Sequence, residues 1–218
     1  MPFEVREEAR LGLQDWWADR IDTWVMNQLS GNTAETNTKY SGNQAPIAPS
    51  SAAGNTRIIY ADGGSTSEAS LSAVQKFQLS FIDKAVVTAK TATPLIRPVR
   101  VQGGEFYVAF LHPWQVFDLR TDATAGRITW YDAQKARVQG GLTGEAESPI
   151  FSGALGLYNG VVLHESTRLP AAPTNANVRR ALLCGAQGGA FAFGQGNQPA
   201  KMDWFEELFD SGDGSAAA

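Results

Sequence analysis

The segment LIRPVRVQGGEFYVAFLHPWQVFDLR (residues 95–120) carries the clearest structural pattern in the chain. Two strand-like runs, RPVRV at 97–101 and FYVAFL at 106–111, flank the pair Gly103-Gly104. Runs of this kind around a glycine pair predict two strands joined by a tight turn. We therefore expect this segment to begin an antiparallel sheet.

Helices are predicted on both sides of these strands. His112-Pro113 ends the second strand, and short helices are expected at 114–120 and at 128–138, before Gly140-Gly141. Upstream, apolar residues recur at helical spacing over 4–29 and over 67–91. Two long helices with an antiparallel sheet indicate an α+β fold.

The connection between the two long helices, residues 32–64, is polar and rich in Asn, Thr, Ser, Gly and Pro. Connections of this length are usually functional or mobile. Its apolar triplet Ile58-Ile59-Tyr60 predicts at most a short strand. Gly31 is expected to end the first long helix, and Ser65 with Glu68 has the spacing of a capping box for the second.

The last third of the chain alternates glycine-rich and apolar stretches. The tail SGDGSAAA (211–218) is interpreted as a flexible terminus or a remnant of cloning. Before it, we expect an extended stretch at 149–151, turns over 153–160, strands at 161–164 and 178–184, a helix-like Gly/Ala run at 185–193, and an amphipathic helical turn or two at 203–209.

Composition excludes several classes of protein. The 218 residues suffice for one domain with a hydrophobic core, and a net charge of −4 gives no overall basic surface for nucleic acid. No apolar run approaches the roughly 20 residues of a membrane span, and the N-terminus has no signal-peptide core. Cys184 is the single cysteine, so an intrachain disulfide and a cysteine-based zinc site are both excluded. We expect a protein made in a reducing cytoplasm.

The strongest candidates for chemistry lie in PIFSGALGLYNGVVLHES (149–166), where His164 precedes Glu165. In a strand, adjacent side chains point to opposite faces, so this pair does not make a catalytic dyad. The other histidine, His112, fits a helix cap or strand end better than a general base. Cys184 lies in the apolar run ALLCG and is interpreted as a buried structural thiol.

No other motif strengthens a catalytic reading. Gly153, Gly156 and Gly160 match neither phosphate-loop pattern, because a strand follows them. Arg97, Arg100, Arg120 and Arg127 could line a phosphate groove, but salt bridges are the favoured interpretation. We therefore predict no catalytic, cofactor-binding or metal-binding residue, and no cofactor.

Four blocks of sequence, taken together and in order, resemble the tailed-phage major capsid proteins with the Hong Kong-type capsid fold. YVAFLHPWQVFDLR and FSGALGLYNGVVLHES are the most specific parts of the resemblance, which covers a little under half of the chain. The blocks are ARLGLQDWWADRIDTWVMNQLSG (9–31), LIRPVRVQGGEFYVAFLHPWQVFDLR (95–120), SPIFSGALGLYNGVVLHES (148–166) and RALLCGAQGGAFAFG (180–194).

The resemblance implies a division of the chain into three parts. Residues 1–94 would form a peripheral-type region with a long spine helix, residues 95–195 an axial-type sheet with helices, and residues 196–218 a terminal helix and flexible tail. The N-terminal arm, extended loop and C-terminal closing segment of the family are expected to be absent. The segment 32–64 could then serve as a reaching arm.

The function implied is a structural subunit of the icosahedral capsid shell of a double-stranded DNA tailed phage. Its partners would be copies of itself in pentamers and hexamers, with scaffold, portal or decoration proteins in addition. It would enclose DNA without sequence-specific binding, contact no membrane and catalyse no reaction. We expect it in the virion capsid, after assembly in the cytoplasm of the host bacterium.

Two alternatives from other classes stay open at this point. One is a small binding module that captures a ligand through the segment 32–64. The other is a hydrolase that depends on His164 or His112, for which loss of activity without loss of folding on His-to-Ala replacement would be diagnostic.

Overall fold

A computed structural model describes residues 5–51, 56–61, 66–101, 103–122, 129–130, 132–133, 155–192, 206–209 and 214–217. The chain divides into two compact units, residues 1–188 and 189–218. No helix in the described ranges is long and apolar enough to cross a membrane. The predicted boundaries near residues 94 and 195 stay predictions.

The first long helix, α1 (Val5–Ser30), begins and ends within one residue of its prediction. Gly31 ends it as expected, with a φ of 60° that suits glycine. The Gly31 amide donates to the Gln28 carbonyl at 3.1 Å, and the Asn32 amide donates to the Asn27 carbonyl at 3.0 Å. This pair of bonds is the Schellman motif, which satisfies carbonyls at the helix end.

The polar connection after α1 folds back onto that helix. It contains a single helical turn, α2 (Thr38–Ser41), whose cap Asn37 accepts a bond from the Lys39 amide. Two α1 side chains bind the carbonyls of this turn: Asn27 donates to Tyr40 and Gln28 donates to Ser41. The described residues 56–61 form no strand, so the suggestion of a strand at Ile58-Ile59-Tyr60 is wrong.

The second long helix is shorter than predicted. Helix α3 spans Leu79–Thr91, whereas the expected first half holds only a 3-10 turn at Glu68–Ser70 and irregular chain up to Gln78. Distant side chains bind the backbone there: Asn175 donates to the Leu71 carbonyl, and Asp118 accepts from the Phe77 amide. These tertiary bonds compete with helix formation, which the apolar spacing alone could not reveal.

The main sheet has five strands, which are β1 (Val99–Val101), β2 (Gly104–Leu111), β3 (Gly156–Tyr158), β4 (Val161–Glu165) and β7 (Leu182–Cys184). β2 lies at its centre: β4 pairs with one edge of β2, and β1 and β7 share the other edge. The antiparallel hairpin β1–β2 is confirmed, but β2 and β4 run parallel, so the expectation of a purely antiparallel sheet is wrong.

The hairpin β3–β4 replaces part of the turns predicted over 153–160. Asn159 and Gly160 have φ angles of 47° and 72°, and together they form the two-residue loop between the strands. Positive φ at both loop residues is the type I′ geometry that matches strand twist, and Asn-Gly is its preferred sequence. The strand that follows, predicted at 161–164, is confirmed.

Helices α3 and α4 (Pro113–Thr121) supply the helical side of the hydrophobic core, and β2 and β4 supply its sheet side. Alternate residues of both strands point into this core, as the two-residue period of a strand requires. Its buried members are Leu79, Ile82, Val86, Ala89, Tyr107, Ala109, Leu111, Val116, Leu119, Val161 and Leu163.

The chain from 171 to 192 differs from its prediction. The expected strand 178–184 is divided between β6 (Asn175–Arg179), which pairs with β5 (Ala171–Ala172), and β7. No helix follows: the described residues 185–192 form turns and extended chain. Here the Ala186 amide donates to the Arg97 carbonyl at 2.7 Å, so it is not used in a helix.

The second unit contains a hairpin, described by itself. β8 (Glu206–Phe209) and β9 (Gly214–Ala217) pair antiparallel. The chain forms a strand at 206–209, so the predicted helical turn at 203–209 is wrong for those residues. The tail at 211–218, which was interpreted as flexible, contains strand β9.

Several predictions lie wholly or partly outside the described residues. These are the capping residue Ser65, the turn Gly140-Gly141 and the extended stretch 149–151. Of the helix expected at 128–138, Trp130, Asp132 and Ala133 are helical, and the Ala133 amide donates to the Thr129 carbonyl at 3.1 Å.

A prediction about packing follows from Gly185. A Cβ added there would lie 2.3 Å from the Arg97 carbonyl oxygen and 2.7 Å from Cγ2 of Ile96. Gly185→Ala should therefore lower the free energy of unfolding by about 1–3 kcal/mol, because backbone must move. At Gly188 the added Cβ makes ordinary contacts of 3.4 Å and longer, so Gly188→Ala is the matched control. Urea denaturation checks both, and equal effects would contradict the packing described.

Candidate functional site

The first predicted site residue, His112, is the N-cap of α4. Its Nδ1 accepts a bond from the Trp114 amide at 3.3 Å, while its own amide donates to Oε1 of Gln115 at 2.9 Å. Gln115 also donates from Nε2 to the Arg179 carbonyl, which ties the start of α4 to β6. The interpretation of His112 as a capping group is confirmed.

The second histidine, His164, lies half-buried on the sheet face opposite the helices. It pairs across the sheet with Phe110, and the two ring centroids are 5.9 Å apart. Cys184 lies on the same face but is separated from His164 by the whole of β2, roughly 10 Å for two strand spacings. Glu165 points to the opposite face. No dyad forms from these residues.

Burial affects the proton equilibria of these three groups. It lowers the pKa of His164, and it lowers the pKa of His112 with a smaller contribution from the nearby Arg179 charge. Burial raises the pKa of the Cys184 thiol, which favours the protonated and unreactive form. Within the described ranges, no group of three or more His, Cys, Asp or Glu side chains could hold a metal ion.

Tryptophans form a cluster on α1. The guanidinium carbon of Arg20 lies 4.9 Å from the ring centroids of Trp16 and Trp24 and 5.3 Å from that of Trp17. Indole faces attract a guanidinium through their quadrupole, so the three rings hold Arg20 in place. The Trp24 indole also donates to the Lys39 carbonyl at 2.7 Å, which links the cluster to α2.

Arg180 anchors the C-terminus of α1. One nitrogen, Nη1, donates to the carbonyls of Ser30 and Gly31, both at 2.9 Å, and Nε donates to Oε1 of Glu68 at 2.7 Å. The Arg180 and Glu68 side chains are only 18% and 19% exposed. A positive group at a helix C-terminus also complements the helix dipole. We call this set the Arg180 anchor.

Two surfaces combine exposed apolar side chains with regular structure. On α1, every residue from Val5 to Trp16 is exposed. On α4, Trp114 and Phe117 are 64% and 54% exposed, and their rings meet edge to face at 6.3 Å. Such surfaces are typical of proteins that bind other proteins.

Comparison with known proteins identifies the family. A family model described as "phage capsid protein" matches residues 1–215, almost the whole chain. The chain belongs to the phage capsid protein family. No curated protein sequence matches it.

Solved capsid structures share the fold of this phage capsid protein. A chain from the capsid of Ralstonia phage GP4 superposes with a TM-score of 0.68 over 100% of the chain at 24% identity. A chain from the cyanophage Pam1 capsid asymmetric unit gives 0.51 over 86% of the chain at 17% identity. This phage capsid protein spans 61% and 55% of those two chains. The predicted Hong Kong-type capsid fold and phage capsid identity are confirmed.

Sequence reasoning missed the residues that matter most for a structural protein. The Arg180 anchor joins positions 150 residues apart in the sequence, and nothing local marks it. The tryptophan cluster had a signal, since residues 16, 17, 20 and 24 share one side of a helix. The spacing of apolar residues in α1 predicts a helix, but it does not reveal that the first half of this helix is exposed.

The Arg180 anchor predicts a large loss of stability on truncation. Arg180→Ala leaves the Ser30 carbonyl and the mostly buried Glu68 carboxylate without the Arg180 donor, while the Gly31 carbonyl keeps its bond from the Thr33 amide. The free energy of unfolding should therefore fall by about 2–3 kcal/mol. Arg100→Ala is the matched control, because its ion pair with Glu105 is exposed and should contribute below about 1 kcal/mol. Urea denaturation of both variants measures the difference; similar losses would contradict the role of the anchor.

The two histidines predict a pH dependence of stability. Their folded-state pKa values lie below the ordinary value of 6.5, so as pH falls through that value the unfolded chain takes up protons first. The free energy of unfolding should therefore decrease between pH 7.5 and 5.5. The double variant His112→Asn, His164→Gln keeps a capping side chain and should flatten this dependence. An unchanged slope in urea titrations at several pH values would show that other groups cause it.

Proposed function

We propose that this phage capsid protein is a structural subunit that assembles with copies of itself into the icosahedral shell of a double-stranded DNA tailed phage. The observation that carries the proposal is the exposed first half of α1 in a chain of the capsid family. Apolar side chains of a helix that stay exposed among the described residues of their own chain favour a partner from another chain. Many weak contacts in a closed shell then add to a stable assembly.

The proposed role requires no catalysis and no cofactor. His112 is engaged as a helix cap, and β2 separates His164 from Cys184. These arrangements favour structural roles over a hydrolase.

Neither the reaching arm nor the binding module is proposed for the segment 32–64. Its described part between Asn37 and Gln44 is bonded along α1 through Trp24, Asn27 and Gln28. The part from Asn37 to Gln44, held in this way, has little freedom to capture a ligand or to extend to a neighbouring subunit.

The remaining partners follow from the same proposal. We propose assembly in the cytoplasm of the host bacterium, location in the virion capsid, and transient or stable contacts with scaffold, portal or decoration proteins. The acidic net charge of −4 supports enclosure of DNA without tight or sequence-specific binding.

The test is light scattering coupled to size exclusion over a concentration series, with negative-stain microscopy of large fractions. We expect pentamers, hexamers or shells whose fraction rises with concentration. A chain that remains strictly monomeric at every concentration and salt condition would contradict self-assembly.

A further inference from the structure

We propose that the exposed half of α1 in one copy receives the exposed aromatic pair of α4, Trp114 and Phe117, from a second copy. This inference rests on the proposed self-assembly and names the surfaces that would carry one of its contacts. It follows from apolar exposure, an unexplained glycine and the arrangement of charges.

The first surface, the α1 stripe, consists of Val5, Ala9, Leu13 and Trp16. These residues recur at spacings of four, four and three, so they lie along one side of the helix. Val5 is 66% exposed, Leu13 38% and Trp16 48%. Within the described residues the apolar stripe is therefore only partly covered, by Arg20 and Trp17 against the Trp16 ring at its C-terminal end.

Gly12 lies beside this stripe in the middle of α1. A Cβ added there meets no heavy atom of the described residues within 4 Å. Glycine is the weakest helix former after proline, and no contact among the described residues requires it at this position. A large side chain approaching from another copy would account for it, because the missing Cβ lets that side chain contact the helix backbone.

An acidic edge borders the α1 stripe on the side of Gly12. Glu8, Asp15 and Asp19 share this edge by their helical spacing. Asp19 already pairs with Arg168 of the same chain. Glu8 and Asp15 are exposed and extend the edge toward the helix N-terminus. An arginine from a second copy would pair with Glu8 or Asp15 in the way that Arg168 pairs with Asp19.

The second surface, the α4 patch, offers the matching groups. Val116 and Leu119 are buried in the core, which turns Trp114, Phe117 and Arg120 outward. The patch therefore presents two large rings with a guanidinium beside them. In the proposed contact the two rings pack on the α1 stripe while Arg120 lies against the acidic edge. The two surfaces are then complementary in both apolar character and charge.

The area of the two surfaces suits a specific contact. A tryptophan or phenylalanine covers roughly 150–250 Å², so the exposed parts of Trp114 and Phe117 amount to about 250 Å². A standard interface buries about 800 Å² on each side. The patch is thus large enough for the central, water-excluding part of such an interface, where tryptophan is the most enriched residue.

The two surfaces are different, so the contact is heterologous. Each copy donates its α4 patch to one neighbour and receives a patch from another on its α1 stripe. Contacts of this type close into rings when the rotation between copies permits. The partner on the α1 stripe is therefore a second copy of this chain, whose Arg120 and aromatic pair match the acidic edge and the apolar stripe.

The experiment uses two variants, each with one surface disabled. Gly12→Leu fills the α1 stripe, and its control Gln14→Leu adds the same side chain on the opposite side of the helix. Trp114→Ala with Phe117→Ala removes the α4 patch, and its control Val87→Ala truncates an exposed residue of α3 that is 61% exposed. Circular dichroism verifies that all four remain folded.

Each disabled variant should raise the concentration needed for assembly at least tenfold, while the controls should match the wild type. Because each variant keeps the surface that the other lacks, mixing the two should give a one-to-one heterodimer that grows no further. Arg120→Glu should also impair assembly, and Asp15→Arg in the same chain should restore it.

The outcomes separate this inference from the proposed function. If the wild type assembles and the disabled variants assemble equally well, the α1–α4 contact is wrong and self-assembly stands. If the wild type and all mixtures stay monomeric, both are wrong. If a mixture of the disabled variants stays monomeric while the wild type assembles, the pairing of these two surfaces is overturned.

Discussion

The parallel pairing of β2 with β4 is the constraint on which the described fold depends. It brings together segments more than fifty residues apart in the sequence and buries Val161 and Leu163 completely. Both strands then present one apolar face, onto which α3 and α4 pack. The position of α4, including its outward aromatic rings, is set by this face, because Val116 and Leu119 must point into it.

Local signals predicted local structure well. The glycine pair where β2 begins, the His-Pro step where α4 begins and the glycine after α1 each act over a few residues, and each was confirmed. The Asn-Gly pair at 159–160 is an equally local signal that was not recognised. The predictions failed where residues distant in the sequence determine the local structure. Asn175 and Asp118 bind the backbone before α3 and keep it out of a helix, and no pattern within 67–78 contains that information.

The function was predicted from the resemblance to a known family. The exposed surfaces on α1 and α4 were not predicted from the sequence. Apolar periodicity in α1 indicates that one side of the helix needs cover, but it does not distinguish a core in the same chain from a neighbouring subunit. Trp16 and Trp114 look like core residues in the sequence, yet both are largely exposed. Exposure depends on where each helix ends up relative to the sheet, so only the structure reveals it.

Because the Arg180 anchor holds the C-terminal end of α1, a small rotation of the helix there displaces its N-terminal end by a larger distance. Asn27 and Ser30, close to the anchor, are the buried residues of this helix. Its 26 residues extend about 39 Å at 1.5 Å per residue. Arg168 also pairs with Asp19 on this helix, so the part that extends beyond both contacts is about 21 Å long, and a tilt of about 5° would move its first residue by roughly 2 Å. In the proposed shell, small adjustments at Arg180 would change the angle at which α1 meets a neighbouring subunit, and a curved lattice of identical subunits requires such different angles.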